Sequence, residues 1–248
     1  FGITKNGKND FTALSDVSFS VKRGETFSII GLNGAGKSTL LQLLCGILIP
    51  TAGTIKVNGK ISAVLELGSA FDPNFTGLEN IRLYYQMIGS ENSYKKANID
   101  KIIEFSELEK FINNRISTYS SGMIARLAFA VRVFTEFDIL IVDEILAVGD
   151  VRFQKKCHDY FTTLKNSGKT IICVSHNTNQ VLEISDTVCL LENSKMLYVG
   201  NPKTGVYEYM HRINMHEDNN INILVDNDTE SFHKINNKNK AESYFLSI

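Results

Sequence analysis

The stretch GLNGAGKST, residues 31–39, sets three glycines, one lysine and two hydroxyl residues in nine positions. Residues 26–30, TFSII, read as a strand leading into it, and residues 40–44, LLQLL, read as a helix leading out. Glycines let a backbone curl so that its N–H groups point inward at an anion. The first turn of the following helix adds the positive end of its dipole. Gly31, Gly36, Lys37 and Ser38 satisfy the spacing GxxxxGK[ST] of a phosphate-binding loop. In such a loop the lysine reaches the β- and γ-phosphates of ATP and the hydroxyl binds Mg2+. Lys37 and Ser38 take those roles here, and Asn33, Gly34, Ala35, Gly36 and Thr39 complete the cradle. The competing reading is a plain glycine-rich turn. The strand before and the helix after argue against it.

The bulk of the chain permits a large fold around that loop. It has 248 residues, 43% of them apolar, enough for one large domain or a domain with a subdomain. The 26 Lys and Arg nearly balance the 27 Asp and Glu, for a net charge of −1. That balance gives no basic footprint for nucleic acid. The four cysteines, Cys45, Cys157, Cys173 and Cys189, lie far apart without CxxC spacing and read as reduced core thiols. No apolar run reaches the ~18–20 residues that span a bilayer, and no signal peptide opens the chain.

Outward from the loop, residues 17–21 (VSFSV) alternate strictly and suit a half-buried antiparallel strand. Residues 54–64, TIKV and KISAV about an Asn-Gly pair, predict a hairpin. From Gly77 to about Asn114 apolar residues recur at helical spacing, and a further helix is predicted from Ser121 to about Thr135. Residues 139–142 (ILIV) are a continuous apolar run, as expected of a central parallel strand covered on both faces, and residues 170–175 (TIICVS) read as another buried strand. Residues 153–166 look helical, and residues 188–191 and 196–199 flank an Asn-Ser-Lys turn. After about Asn214 the chain turns Asn-rich and charged, and residues 221–225 (INILV) are its only strand-like piece. Alternating strands and helices indicate an α/β P-loop NTPase core with a mainly parallel sheet. To it are added an antiparallel β subdomain and an inserted helical subdomain at about residues 77–135.

A phosphate-binding loop needs a second Mg2+ partner at the end of another strand. The run at 139–142 ends on Asp143 and Glu144. Asp143 would hold Mg2+ through water, and Glu144 would take a proton from, or orient, the water that attacks the γ-phosphate. Residues 119–123 (YSSGM) stand just before a helix, with Ser120 twenty-three residues ahead of Asp143. Serine and glycine at a helix N-terminus make another anion site. Serine is also a common N-cap.

Over about residues 1–210 these pieces, in this order, resemble the ATP-binding subunit of ABC transporters. Where that family carries its LSGGQ signature, Ser120 and Gly122 match the serine and second glycine; Ser121 replaces the first glycine and Met123 the glutamine. Residues 147–150 (AVGD) match the D-loop and supply Asp150, and His176 in residues 174–176 (VSH) matches the switch histidine. The resemblance implies that Ser120, Ser121, Gly122 and Asp150 contact nucleotide and that His176 senses the γ-phosphate. The family's Q-loop glutamine is absent; Glu66, within residues 65–81, is the nearest polar residue. The adenine-stacking aromatic is Phe1 or Phe11. Phe1 followed by Gly2 looks like the end of the family's first strand, so an upstream piece of chain is expected.

The loops ELGSAF, TGLENI, YSSGM and AVGDVRFQKKC resemble one branch of that family, the ATPases that export bacterial O-antigen, capsule and wall teichoic acid. The resemblance implies an ATPase domain at residues 1–213, a C-terminal tail at 214–248, and ATP and Mg2+ as cofactors. The expected function is ATP hydrolysis that powers export of a lipid-linked polysaccharide or teichoic acid. A homodimer would enclose two ATPs and dock on a separate multi-span permease, peripheral to the cytoplasmic face of the membrane, with no nucleic-acid partner. The alternatives are a soluble, non-transport ABC ATPase that remodels a ribosome or DNA, and a monomeric P-loop kinase. The first commonly has paired cassettes or long coiled coils; the second needs neither the YSSGM nor the AVGD loop.

Overall fold

All six residues of strand β1 (Thr26–Gly31) are buried, as a strand flanked by neighbours on both edges and both faces requires. The computed structural model describes residues 12–64, 71–89, 96–143 and 149–225, without the side chains of residues 96–97 and 215–225. Phe1, Phe11, Glu66, Glu144 and Ala147 lie outside the described residues. β1 belongs to a six-stranded sheet of order β2-β3-β4-β1-β5-β6. It pairs in parallel with β4 (Thr170–Val174) on one side and β5 (Thr187–Glu192) on the other. β3 (Ile139–Asp143) continues the parallel pairing beyond β4, and β2 (Ile61–Val64) beyond β3. Only β6 (Lys195–Gly200) runs antiparallel, joined to β5 through Asn193 and Ser194, both at positive φ. That is the primed-turn geometry whose twist suits a tight hairpin.

Alternation along the strands divides the core between the two faces of the sheet. Leu140, Val142, Ile171 and Cys173 pack into one cluster with residues of α2 (Gly77–Met87), α3 (Lys96–Ser106), α4 (Ser121–Val133) and α5 (Val151–Asn166). Ile141, Ile172 and Val174 point the other way and pack with Leu40 and Leu41 of α1 (Lys37–Leu44). α2 starts with a reciprocal cap: Thr76 Oγ1 accepts from the Glu79 N–H at 3.2 Å, and the Glu79 carboxylate accepts from the Thr76 N–H at 2.8 Å. A single 3-10 turn, Ile116–Thr118, leads into α4. Among the described residues 77–135 contain no strand; one isolated bridge joins Thr76 to Arg115.

Three local expectations are corrected. Residues 17–21 alternate inward and outward as predicted but join no ladder; Val17, Phe19 and Val21 lie over the α1-side cluster, with the Phe19 ring stacked 4.9 Å from Phe27. The segment covers a face of the sheet instead of extending an edge. The Asn-Gly hairpin at 54–64 does not form. Lys60 donates its N–H to the Asp138 carboxylate at 2.9 Å and accepts from the Asp138 N–H at 2.9 Å, which draws residues 61–64 parallel to β3. A Cβ on Gly59 would sit 2.8 Å from Asp138 Cβ, so this glycine admits the Asp138 side chain and does not reverse the chain. Residues 221–225 are the end of α7 (Pro202–Val225), not a strand. Proline at the first position suits a helix start, and no glycine or proline interrupts residues 206–225. The chain divides into two compact units, Phe1–Tyr207 and Glu208–Ile248, within that helix. Short α6 (Thr178–Ile184) was not expected from the sequence.

The helical side is held by rings. Phe105 of α3 lies 5.9 Å from Phe129, 5.4 Å from Phe134, 5.7 Å from Phe153 and 5.4 Å from Tyr160. Those spacings and the mostly edge-on geometry are the favourable ones for aromatic pairs. Phe105→Ala should therefore cost about 3–5 kcal/mol of stability, the range for truncating a buried aromatic. Urea denaturation of both proteins measures it. A loss below ~1 kcal/mol, the scale of an ordinary surface change, would contradict the placement of Phe105 at the hub.

Candidate functional site

Residues 31–36 turn the chain from the buried end of β1 into α1. Gly36, the residue before the helix, has φ 99°. A Cβ there would lie 2.6 Å from the Ala13 carbonyl oxygen and 2.7 Å from Leu14 Cδ2, so both backbone conformation and space demand glycine. Because the cap is glycine, no side chain caps α1, and its first turn carries no acidic residue. The helix thus presents bare N–H groups and a positive dipole end. Lys37 folds back over the turn: its ammonium donates to the carbonyl oxygens of Gly31 at 2.9 Å and Leu32 at 3.0 Å.

A pocket of about 360 Å3 opens there, lined by Ala13, Asn33, Gly34, Gly36, Lys37, Ser38, Thr39 and Asp143. Sequence reading had named all of these except Ala13, which carries no functional side chain and contributes through its backbone beside Gly36. Ala35 is buried in the α1-side cluster and packs the loop from behind. Asp143 comes from the end of β3. The Ser38 hydroxyl and the Asp143 carboxylate are hard oxygen donors of the kind Mg2+ takes, and they share the pocket with the Lys37 ammonium; the set fits a metal–polyphosphate pair.

Register explains why these groups meet. Ile29, Val174 and Asp143 align across β1, β4 and β3. Gly31 ends β1 two residues after Ile29, and His176 lies two residues beyond the end of β4, so all three chain ends leave the same edge of the sheet. Ligand sites in open parallel sheets lie at that carboxyl edge. His176 is exposed and does not line the pocket. Its turn is tied by a local relay that the sequence did not reveal. The Asn177 N–H donates to Ser175 Oγ at 3.1 Å, Ser175 Oγ donates to Gln180 Oε1 at 3.3 Å, and the Gln180 N–H donates to Asn177 Oδ1 at 3.2 Å.

Two more sequence candidates open helices away from the pocket. Ser120 caps α4, its Oγ accepting from the Met123 N–H at 3.2 Å; a Cβ on Gly122 would meet nothing closer than that Oγ at 3.9 Å. Among the described residues nothing requires glycine at 122. Asp150 caps α5, Oδ1 accepting from the Phe153 N–H at 2.9 Å. Ser120, Ser121 and Asp150 are exposed, and neither they nor Gly122 line the pocket. The cysteines are free thiols, and burial pushes Cys157 and Cys189 up to about 12 and Cys45 and Cys173 up to about 11. They carry no thiolate chemistry near neutral pH. Among the described residues no cluster of three or more metal-ligating side chains occurs.

Comparison with known proteins identifies the family and the fold. The family profile described as ABC transporter matches residues 14–147. The chain is 47% identical over 191 residues to an O-antigen export system ATP-binding protein of Klebsiella pneumoniae, covering 77% of this chain and 78% of that protein. It is 43% identical over 217 residues to a teichoic acids export ATP-binding protein of Enterococcus faecalis, covering 86% of this chain but 48% of that protein. A dimeric ATP-binding cassette solved in a post-hydrolysis state with ADP and phosphate superimposes with a TM-score of 0.69 at 23% identity, over 80% of this chain and 94% of that one. This last likeness is one of fold.

Gly36→Ala tests the shape of the anion site. It combines a backbone clash with a left-handed conformation, a strain of about 1–3 kcal/mol. ATP binding, followed with a fluorescent ATP analogue, should weaken by at least ~10-fold. Unchanged affinity would show that this turn does not shape the site.

Proposed function

This chain belongs to the ABC transporter family, as an ATPase of that family, and from that premise we propose that it powers export of a lipid-linked polysaccharide or teichoic acid. One observation carries the catalytic half: Lys37, Ser38 and Asp143 converge on a single pocket at an uncapped helix N-terminus. The transport half is supported by the identity to the O-antigen and teichoic acid export proteins.

In this reading ATP sets its phosphates on the N–H groups of residues 33–39, and the Lys37 ammonium exchanges its carbonyl partners for β- and γ-oxygens. Ser38 and Asp143 would hold Mg2+, which would supply positive charge against the developing charge of the phosphate oxygens. Glu144 receives the proton of the attacking water as the bond between the γ-phosphorus and the bridging oxygen breaks. His176 faces the γ-phosphate from the neighbouring strand end. Phe1 or Phe11 stacks on adenine.

Two copies face each other, so that Ser120, Ser121, Gly122 and Asp150 of one meet the nucleotide of the other. Exposure of Ser120, Ser121 and Asp150 and the open space at Gly122 suit that role. Among the described residues no helix is long and apolar enough to cross a membrane. The dimer docks on a separate permease from the cytoplasmic face, with Glu66 on the permease side.

Glu144→Gln separates binding from chemistry. It should spare ATP binding, slow turnover by about 10²-fold or more, and trap an ATP-bound dimer on gel filtration. Near-normal turnover would remove Glu144 from the catalytic role, and lost ATP affinity would make it a binding residue.

A further inference from the structure

The C-terminus of α3 ends in an unusual way. Leu108 donates its N–H to the Ile103 carbonyl at 3.3 Å, and Glu107 donates its N–H to the Glu104 carbonyl at 3.3 Å. This is the paired pattern of a Schellman cap, which places the residue at 107 in the left-handed region. Glu107 indeed has φ 60°. Glycine is the usual occupant there, and Asn the usual exception. A glutamate accepts strain that glycine would avoid.

Its carboxylate stands between two other helices. Oε2 lies 3.6 Å from Arg126 of α4, and Oε1 lies 3.1 Å from Lys156 of α5. All three side chains are two-thirds or more shielded from solvent. Each cation also rests on the aromatic hub, Arg126 at 5.9 Å from the Phe153 ring and Lys156 at 4.9 Å from the Phe105 ring. The Lys156 ammonium further donates to the Glu104 carbonyl at 3.3 Å, one of the carbonyls at the end of α3. Arg126 and Lys156 occupy equivalent places: each stands six residues beyond the N-cap of its helix, Ser120 for α4 and Asp150 for α5. Those caps belong to the two turns offered above to the partner's nucleotide.

We propose that Glu107 is a positioning residue. Its carboxylate locks α4 to α5, so that the Ser120–Gly122 turn and Asp150 meet the nucleotide of a second copy as one rigid edge. This rests on the two-copy arrangement proposed above. Glycine at 107 would cap α3 with less strain but leave α4 and α5 free to shift against each other. A shift of an ångström in a remote positioning element can cost orders of magnitude in rate.

The test uses Glu107→Gly, which relieves the backbone and removes the carboxylate, beside Glu107→Gln, which keeps the length and removes the charge. The melting temperature should hold for Glu107→Gln and hold or rise for Glu107→Gly, and in both the ATP affinity of the single chain should match wild type. Turnover should fall about tenfold with the KM for ATP little changed. In the Glu144→Gln background the ATP-dependent dimer should need about tenfold more protein to form. Wild-type turnover and dimerisation in both variants would overturn the proposal, as would a loss of turnover that only follows a fall in melting temperature. If Glu144→Gln alone forms no dimer with ATP, the two-copy arrangement itself fails; if it dimerises and adding Glu107→Gly changes nothing, only the role of Glu107 fails.

Discussion

The Lys37 ammonium, held on the carbonyls of Gly31 and Leu32, is the contact around which the rest of the molecule is arranged. A cation buried to this degree needs partners, and these include the last carbonyl of a central strand and the carbonyl that follows it. They hold the charge at the mouth of the pocket. β1 can present those carbonyls because β4 and β5 flank it and anchor it in register. The same register delivers Asp143 and His176 to the same edge. A stiff parallel sheet thus supports a turn made largely of glycine.

The second edge obeys a different logic. Ser120 and Asp150 cap α4 and α5, whose direction is set by the rings around Phe105 and by the carboxylate of Glu107. The rings fill the interior between these helices and fix their spacing. The ion pairs contribute little energy on their own at partly exposed sites, but they constrain how one helix is set against the next. Division of labour between apolar bulk and directional charge is what an edge that must meet another molecule requires.

Much of the candidate site was legible because its motif is local: glycines, lysine and serine within nine residues leave few other readings. Continuous apolar runs at 139–142 and 171–174 gave the parallel strands for the same reason, since burial on both faces removes alternation. What stayed hidden depends on distant partners. The Asn-Gly pair at 58–59 promised a hairpin, yet the hydrogen bonds between Lys60 and Asp138 decide the pairing. Ala13 lines the pocket through its backbone, which no residue type announces. Glu107 reads as one more surface acid, and its meaning emerges only once α4 and α5 stand beside it. The alternation at 221–225 was too short to outweigh a helix already running from Pro202.

The central claim is that ATP is held between the phosphate loop of one copy and the Ser120–Gly122 turn of the other. Mixing a tagged Lys37→Ala chain with an untagged Ser120→Arg chain addresses it directly. Each chain alone has two defective sites, whereas the mixed pair retains one in which an intact Lys37 faces an intact Ser120. ATP should therefore bring the untagged chain down with the tagged one, while neither chain self-associates. Failure of ATP to join the two chains, with both still folded and the Ser120→Arg chain still binding nucleotide, would contradict the account.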